Sequence, residues 1–199
     1  MHIDRENGLL VGAEYSHSPN FDERPSDCDI DLLVIHGISL PPGEFGSDDV
    51  IAFFNNSLDA TKHPYFETIV EMKVSSHLFI RRDGKIWQFV PFHRRAWHAG
   101  QSQFQSRKNC NDFAVGIELE GTDTLAYTLL QYQQLALVTV ALMQAYPGIT
   151  LERIVGHSEI APQRKTDPGQ AFDWDLFRHL VSKEILVDQQ KSQRANGIT

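Results

Sequence analysis

The sequence predicts one mixed α/β domain, of the α+β type, and three observations carry that expectation. Short apolar runs end in or enclose ionisable residues at Asp31–His36 and Phe113–Leu119, a turn signal at Arg82-Asp83-Gly84 separates two β-rich segments, and two stretches of helical period follow late in the chain. DLLVI reads as a buried strand with His36 at its carboxyl end. GISLPPGEFG, from Gly37 to Gly46, is rich in breakers and reads as loop, after which Ser47 or Asp48 can cap a helix running to Phe53 or Phe54. Met72–Ile80 and Lys85–Val90 read as the two arms of a hairpin. FAVGIEL is an apolar strand with Glu118 inside it. Thr128 or Asp123 opens the strongest helix, in which Leu129, Tyr132, Leu135, Val138, Leu142 and Tyr146 recur at helical spacing until Pro147-Gly148 stops it. Leu151–Val155 leads into a loop, and Trp174–Ile185 reads as a second amphipathic helix.

Around this body, residues 1–30 are rich in Asp, Pro, Ser and Asn and read as an N-terminal arm. Residues 31–185 form the domain, and 186–199 a polar, flexible tail. The 199-residue length suits one domain, and 41% hydrophobic residues is ordinary for a globular core. Eighteen basic against 26 acidic residues give a net charge of −8, the wrong sign for nucleic acid or an anionic membrane surface. The first residues lack a basic segment followed by an apolar run, and no stretch approaches a membrane span, so a cytoplasmic location is expected. Two cysteines, Cys28 and Cys110, neither in a CxxC pair, fit a reducing compartment and do not suggest a thiolate metal site.

The chemistry concentrates in RIVGHSEIAPQRKTDPG, from Arg153 to Gly169. His157 and Asp167 are too far apart for one helical face but suit a loop folded over a metal, and Pro162 and Pro168 disfavour a long helix there. With His36 they make an N,N,O set of the kind that holds a catalytic zinc and leaves one position for water. Glu118, on a strand, can relay the water's proton, and Lys165 can meet charge developing on a carbonyl oxygen. Spacing alone does not single these out among nine histidines.

Context does. DLLVIH, ISLPPGEFG, HPYF, VSSHLFIRRDG, RAWHAG, CNDFAVGIELEGTDTLAYT and GHSEIAPQRKTDPG occur in order between about Pro19 and Phe177, and together the chain resembles the AmpD-type N-acetylmuramoyl-L-alanine amidases of Gram-negative bacteria. The resemblance implies the fold of phage T7 lysozyme and the peptidoglycan recognition proteins, a mixed sheet of five or six strands with flanking helices. It implies His36, His157 and Asp167 as zinc ligands, with Glu118 and Lys165 as the catalytic pair. The implied substrate is a muropeptide, 1,6-anhydro-N-acetylmuramic acid carrying a stem peptide, cut between the lactyl group and L-Ala. Such an activity would serve cell-wall recycling and indirectly lower β-lactamase induction.

Gly37 departs from the family pattern, in which Asn usually follows the first ligand. Lys73 and Arg107, with Lys108, are candidates to hold the carboxylates of a stem peptide, and Trp97 and His98 to line the cleft, Trp97 against a sugar face. His77 reads as a core group rather than a ligand, and His63 as structural. The alternative to a zinc amidase is a peptidoglycan-binding module of the same fold without catalysis, which should lack a ligand or the catalytic acid; this chain keeps all five residues. The expected partner is the muropeptide alone, without nucleic acid or membrane, and the expected state is a monomer.

Overall fold

The computed structural model of the chain describes residues 1–195 and 197. Its centre is a six-stranded sheet of β1 (Glu14–Tyr15), β2 (Leu32–Ile38), β3 (Leu78–Ile80), β4 (Ile86–Gln88), β5 (Ala114–Glu120) and β6 (Ile154–Gly156), in the spatial order β6-β2-β5-β3-β4-β1. β6, β2, β5 and β3 are parallel, β4 returns antiparallel to β3, and β1 runs parallel to β4 along the edge. The helices are α1 (Asp49–Phe54), α2 (Pro64–Ile69), α3 (Leu129–Ala145), α4 (His157–Ile160) and α5 (Trp174–Ala195).

Central parallel strands are covered on both faces, which is why LLVI and AVGIEL read as continuous apolar runs. Alternation then sorts their side chains. Leu33, Ile35, Val115, Ile117 and Leu119 join Leu135, Val138 and Leu142 of α3 and Phe177 and Val181 of α5 in the largest core cluster. Leu32, Val34 and Ala114 point the other way, into a smaller cluster with Phe113, Val155 and Ile160. Further along the same face come His36, two residues after Val34 on β2, and Glu118, four residues after Ala114 on β5. The register pairs Glu118 with His36 and Gly156 with Ile35, so His36, Glu118 and His157, the residue after β6, stand at one level across three neighbouring strands. The carboxyl ends of parallel strands are where such sheets form clefts.

The hairpin has the expected place: Gly84, at φ 84°, lets the chain turn from β3 into β4. Its strands are shorter than predicted. Before Leu78, the backbone of Ser75 and His77 bonds Trp97 O and Gly116 O in place of a regular ladder, so β3 starts late. α2 carries Pro64 at its first turn, and His63 Nδ1 accepts from Tyr65 N at 3.1 Å as the cap. Residues 1–30 do more than cover the body. Ile3–Asp4 pairs with Leu9–Leu10, β1 joins the main sheet, and Phe21–Asp22 pairs with Arg95–Ala96. α5 continues through Ala195, so the stretch from 186 to 195, read as a tail, is helical; its Leu, Gln and Lys residues sustain a helix, and Gln144 Nε2 donates to Asp188 Oδ2 at 2.7 Å. Residues 196, 198 and 199 of that predicted tail lie outside the described residues.

α3 is fastened to the strand ends by a polar side chain that the apolar period does not reveal. Thr128 and Gln131 form a capping box, and the buried Gln131 Nε2 donates to Ile80 O at 3.1 Å and Glu120 O at 3.0 Å, the last carbonyls of β3 and β5. Gln131→Ala would leave these buried carbonyls unpaired, and urea denaturation should show a loss of about 2–4 kcal/mol. A loss under about 0.5 kcal/mol would mean that the fastening is dispensable.

Candidate active site and metal centre

The strand ends deliver their side chains to one cleft. His36 comes from β2, Glu118 from β5 and His157 from the first position of α4, where the chain leaves β6. Lys165 and Asp167 arrive on the loop that follows α4. That loop is fixed at several points: Ser158 N donates to Asp167 O at 2.9 Å, Lys165 N to Ala161 O at 3.0 Å, and the buried Tyr127 hydroxyl to Pro168 O at 2.9 Å. Tyr127 passes beside two glycines. A Cβ at Gly37 would lie 2.3 Å from its hydroxyl, and one at Gly121 2.3 Å from its ring. The glycine that departs from the family pattern therefore sits in space that Tyr127 fills.

Three donor atoms meet. His36 Nδ1 lies 2.9 Å from His157 Nδ1 and 3.2 Å from Asp167 Oδ2, and His157 Nδ1 lies 3.1 Å from the same oxygen. The edges of a tetrahedral site with bonds of 2.0–2.1 Å measure about 3.3 Å, close to this triangle. His157 Nε2 is 3.2 Å from Ala99 O, a contact that places its proton on Nε2 and leaves the Nδ1 lone pair free. Burial lowers the His36 pKa to about 4 against the opposing hydrogen bond with Asp167, so its ring is neutral near pH 7. Two neutral imidazoles and a carboxylate fit a divalent cation, and among the described residues this is the group of His, Cys, Asp and Glu that could hold one.

The two carboxyl groups are driven apart. Burial works to raise Asp167, but the close approach of the His157 and His36 imidazoles overcomes it and holds the group far below the usual carboxylate range. Glu118 is raised well above its ordinary value by burial and by the charge of Asp167, with Lys165 opposing. Glu118 Oε1 lies 3.9 Å from His36 Nδ1, and its Oε2 is buried without a hydrogen-bond partner. One carboxylate stays charged; the other can carry a proton.

The cleft is lined by His157, Asp167, Glu118, Lys165, Trp97 and His98, with a wall of Phe53, Phe54, Tyr65, Ile69 and Met72 from α1, α2 and the turn beyond. The structure thus brings Trp97 and His98 to the cleft. It does not bring Lys73 or Arg107. Lys73 is exposed and faces away between Met72 and Val74, which line the cleft, as neighbours along an extended segment do. Arg107 is at the far end of the sheet, where its guanidinium bonds Asp31 Oδ2 at 2.6 Å and covers the Phe113 ring at 3.8 Å. Lys108 lies beside it on the same short strand pair. Tyr65 and Met72 were not singled out from sequence, although they are 37% and 49% exposed on the cleft wall. Their signal was the apolar character of HPYF and of the turn after α2, and only the fold shows that it faces a cavity. His77 is a core group, as expected. Its Nδ1 accepts from Gly116 N at 3.0 Å and its Nε2 bonds Arg94 O at 3.1 Å.

Convergent donors, a second buried carboxyl and a lysine at one cleft define an enzyme with a candidate metal centre. A sequence profile described as N-acetylmuramoyl-L-alanine amidase matches residues 26–170, and the chain belongs to that family. It is 60% identical over 179 residues, 90% of this chain and 97% of the relative, to the 1,6-anhydro-N-acetylmuramyl-L-alanine amidase AmpD of Escherichia coli K12. The crystal structure of a Se-Met AmpD derivative superposes with a TM-score of 0.88 at 56% identity, covering 91% of this chain and 99% of that one. The E. coli amidase AmiD, solved in complex with the substrate anhydro-N-acetylmuramic acid-L-Ala-D-γ-Glu-L-Lys, gives 0.56 at 28% identity, covering 79% of this chain and 60% of that one.

Two expectations follow. Asp167→Ala should lose stoichiometric metal after dialysis, and elemental analysis finding one ion per chain would remove Asp167 from the ligand set. The second concerns pH. Burial, and next the Arg24 charge, push the His77 pKa well below 6.5. Between the lowered folded value and 6.5 the unfolded chain binds a proton that the folded chain refuses. The stability held by neutral His77 is therefore complete above pH 6.5 and is lost as pH falls below it. His77→Gln should flatten this slope in metal-free protein, read as urea midpoints from pH 7 to 5; an unaltered slope would assign the acid sensitivity elsewhere.

Proposed function

We propose that the chain hydrolyses the amide between the lactyl group of 1,6-anhydro-N-acetylmuramic acid and L-Ala of a stem peptide, with zinc held by His36, His157 and Asp167. The observation that carries this reading is the triangle of three free donors 2.9–3.2 Å apart, with a buried, unpaired Glu118 carboxyl beside it. Two nitrogens and one oxygen suit zinc, and three protein ligands leave a position open, as in catalytic rather than structural sites. Bound there, zinc would polarise the amide carbonyl and lower the pKa of water to ~7.

The remaining work falls to side chains. Glu118 takes a proton from the attacking water as its oxygen bonds the carbonyl carbon, and returns it to the alanine nitrogen as the C–N bond breaks. Its unpaired Oε2 leaves the carboxyl free for that exchange. Lys165, lining the same cleft, faces the charge that develops on the carbonyl oxygen. Asp167, held ionised, keeps to the ligand role. Trp97 with Tyr65 and Met72 offers apolar surface for the sugar and lactyl group. The three proposed ligands, Glu118 and Lys165 all come from one chain, so a monomer is sufficient. No helix among the described residues is long and apolar enough to cross a membrane. The substrate follows the relatives' names and the muropeptide bound in AmiD. In the cell this activity would act in the cytoplasm on recycled wall fragments and, where a β-lactamase is inducible, would lower the inducing muropeptide.

Purified protein should cleave anhydromuropeptide into sugar and free peptide, seen by mass, and should stop when a chelator removes the metal. Glu118→Gln should retain the metal and lose ~10²–10⁴-fold in kcat. No metal-dependent cleavage by the native chain would support a binding module, and native turnover in Glu118→Gln would remove Glu118 from the proton path.

A further inference from the structure

Both ligand imidazoles rest their outer nitrogens on consecutive residues of one segment. His36 Nε2 lies 3.0 Å from His98 Nδ1, and His157 Nε2 lies 3.2 Å from Ala99 O. That segment is itself held. The buried Asn111 Oδ1 accepts from His98 N at 3.1 Å and Ala99 N at 2.8 Å, and Arg164 donates to Ala99 O at 2.6 Å. His98 lies flat over β5 because residue 116 is glycine: a Cβ there would stand 2.4 Å from its ring. The ring has no other polar engagement, since His98 Nε2 is buried without a hydrogen-bond partner. A buried histidine whose single side-chain hydrogen bond goes to a metal ligand has that ligand as its purpose.

We propose that His98 is a positioning residue for the metal centre: its Nδ1 accepts the Nε2 proton of His36, so that His36 presents a bare Nδ1 lone pair beside that of His157. Ala99 O does the same for His157, and Asn111 keeps the two acceptors in step. One short segment thereby sets the proton position and ring angle of both imidazoles before any ion arrives. Acceptors behind ligand histidines are generally worth 10–100-fold in metal affinity. The inference rests on the metal-site reading above and goes beyond it, because the sequence offers His98 only as a residue lining the cleft.

The test separates the lost acceptor from lost packing. His98→Leu fills similar space without an acceptor, whereas His98→Asn can put an amide oxygen where Nδ1 lies. Zinc affinity, measured by competition with a chromogenic chelator, should fall 10–100-fold in His98→Leu and return to within about 3-fold of native in His98→Asn. Metal-free thermal unfolding serves as the folding control. In metal-free protein labelled with ¹⁵N-histidine, the native His36 should show a proton on Nε2 alone, and His98→Leu a mixture of tautomers. Native zinc affinity and an unmixed His36 tautomer in His98→Leu would overturn the proposal, as would an equal loss of affinity in His98→Asn and His98→Leu. If the native protein binds no zinc, the metal-site reading fails first.

Discussion

Three lone pairs held about 3 Å apart repel one another, and that constraint organises the molecule. Neither a flexible loop nor one helix would keep two imidazole nitrogens and a carboxylate oxygen at 2.9–3.2 Å without a cation between them. Here the rigidity comes from the parallel register. Glu118 sits opposite His36 and Gly156 opposite Ile35, so the donors inherit their spacing from the strand separation of the sheet. The third donor comes from a loop tied down by Ser158 and Tyr127.

Burial then divides the labour between chemically similar groups. Asp167 and Glu118 share one cleft, yet the two imidazoles packed against the first hold it ionised, while the second, with no such neighbours, is raised by burial. Sites that need both a fixed negative ligand and a mobile proton are commonly built from carboxyls whose environments pull their pKa values apart. Lys165 opposes the rise at Glu118, so the lysine lining the same cleft also limits how far burial raises that carboxyl.

Much of this was legible in the chain. Apolar runs ending in His36 and enclosing Glu118 marked central strands, and the proline-punctuated stretch after His157 marked a loop that aims side chains inward. What stayed hidden depended on contacts between distant segments. Arg107 was weighed by its charge, but its partner Asp31 is 76 positions away. Strand β1 has only two residues, Glu14 and Tyr15, too few for a period, and it exists because β4 offers an edge. Gln131 lies outside the apolar period of α3, yet it is the residue that anchors the helix to the strand ends. The link between His36 and His98 spans 62 positions with no repeating signal to announce it.

The same distances bear on how the centre comes into being during synthesis. His36 leaves the ribosome early, but its partners are 62, 121 and 131 residues further on. Contacts of such separation form late, after nearer ones have closed the intervening chain. A nascent chain truncated anywhere before Asp167 therefore carries at most two of the three donors. If the centre holds the proposed ion, its uptake would mark that translation has passed the last loop, and prematurely ended chains would stay without it.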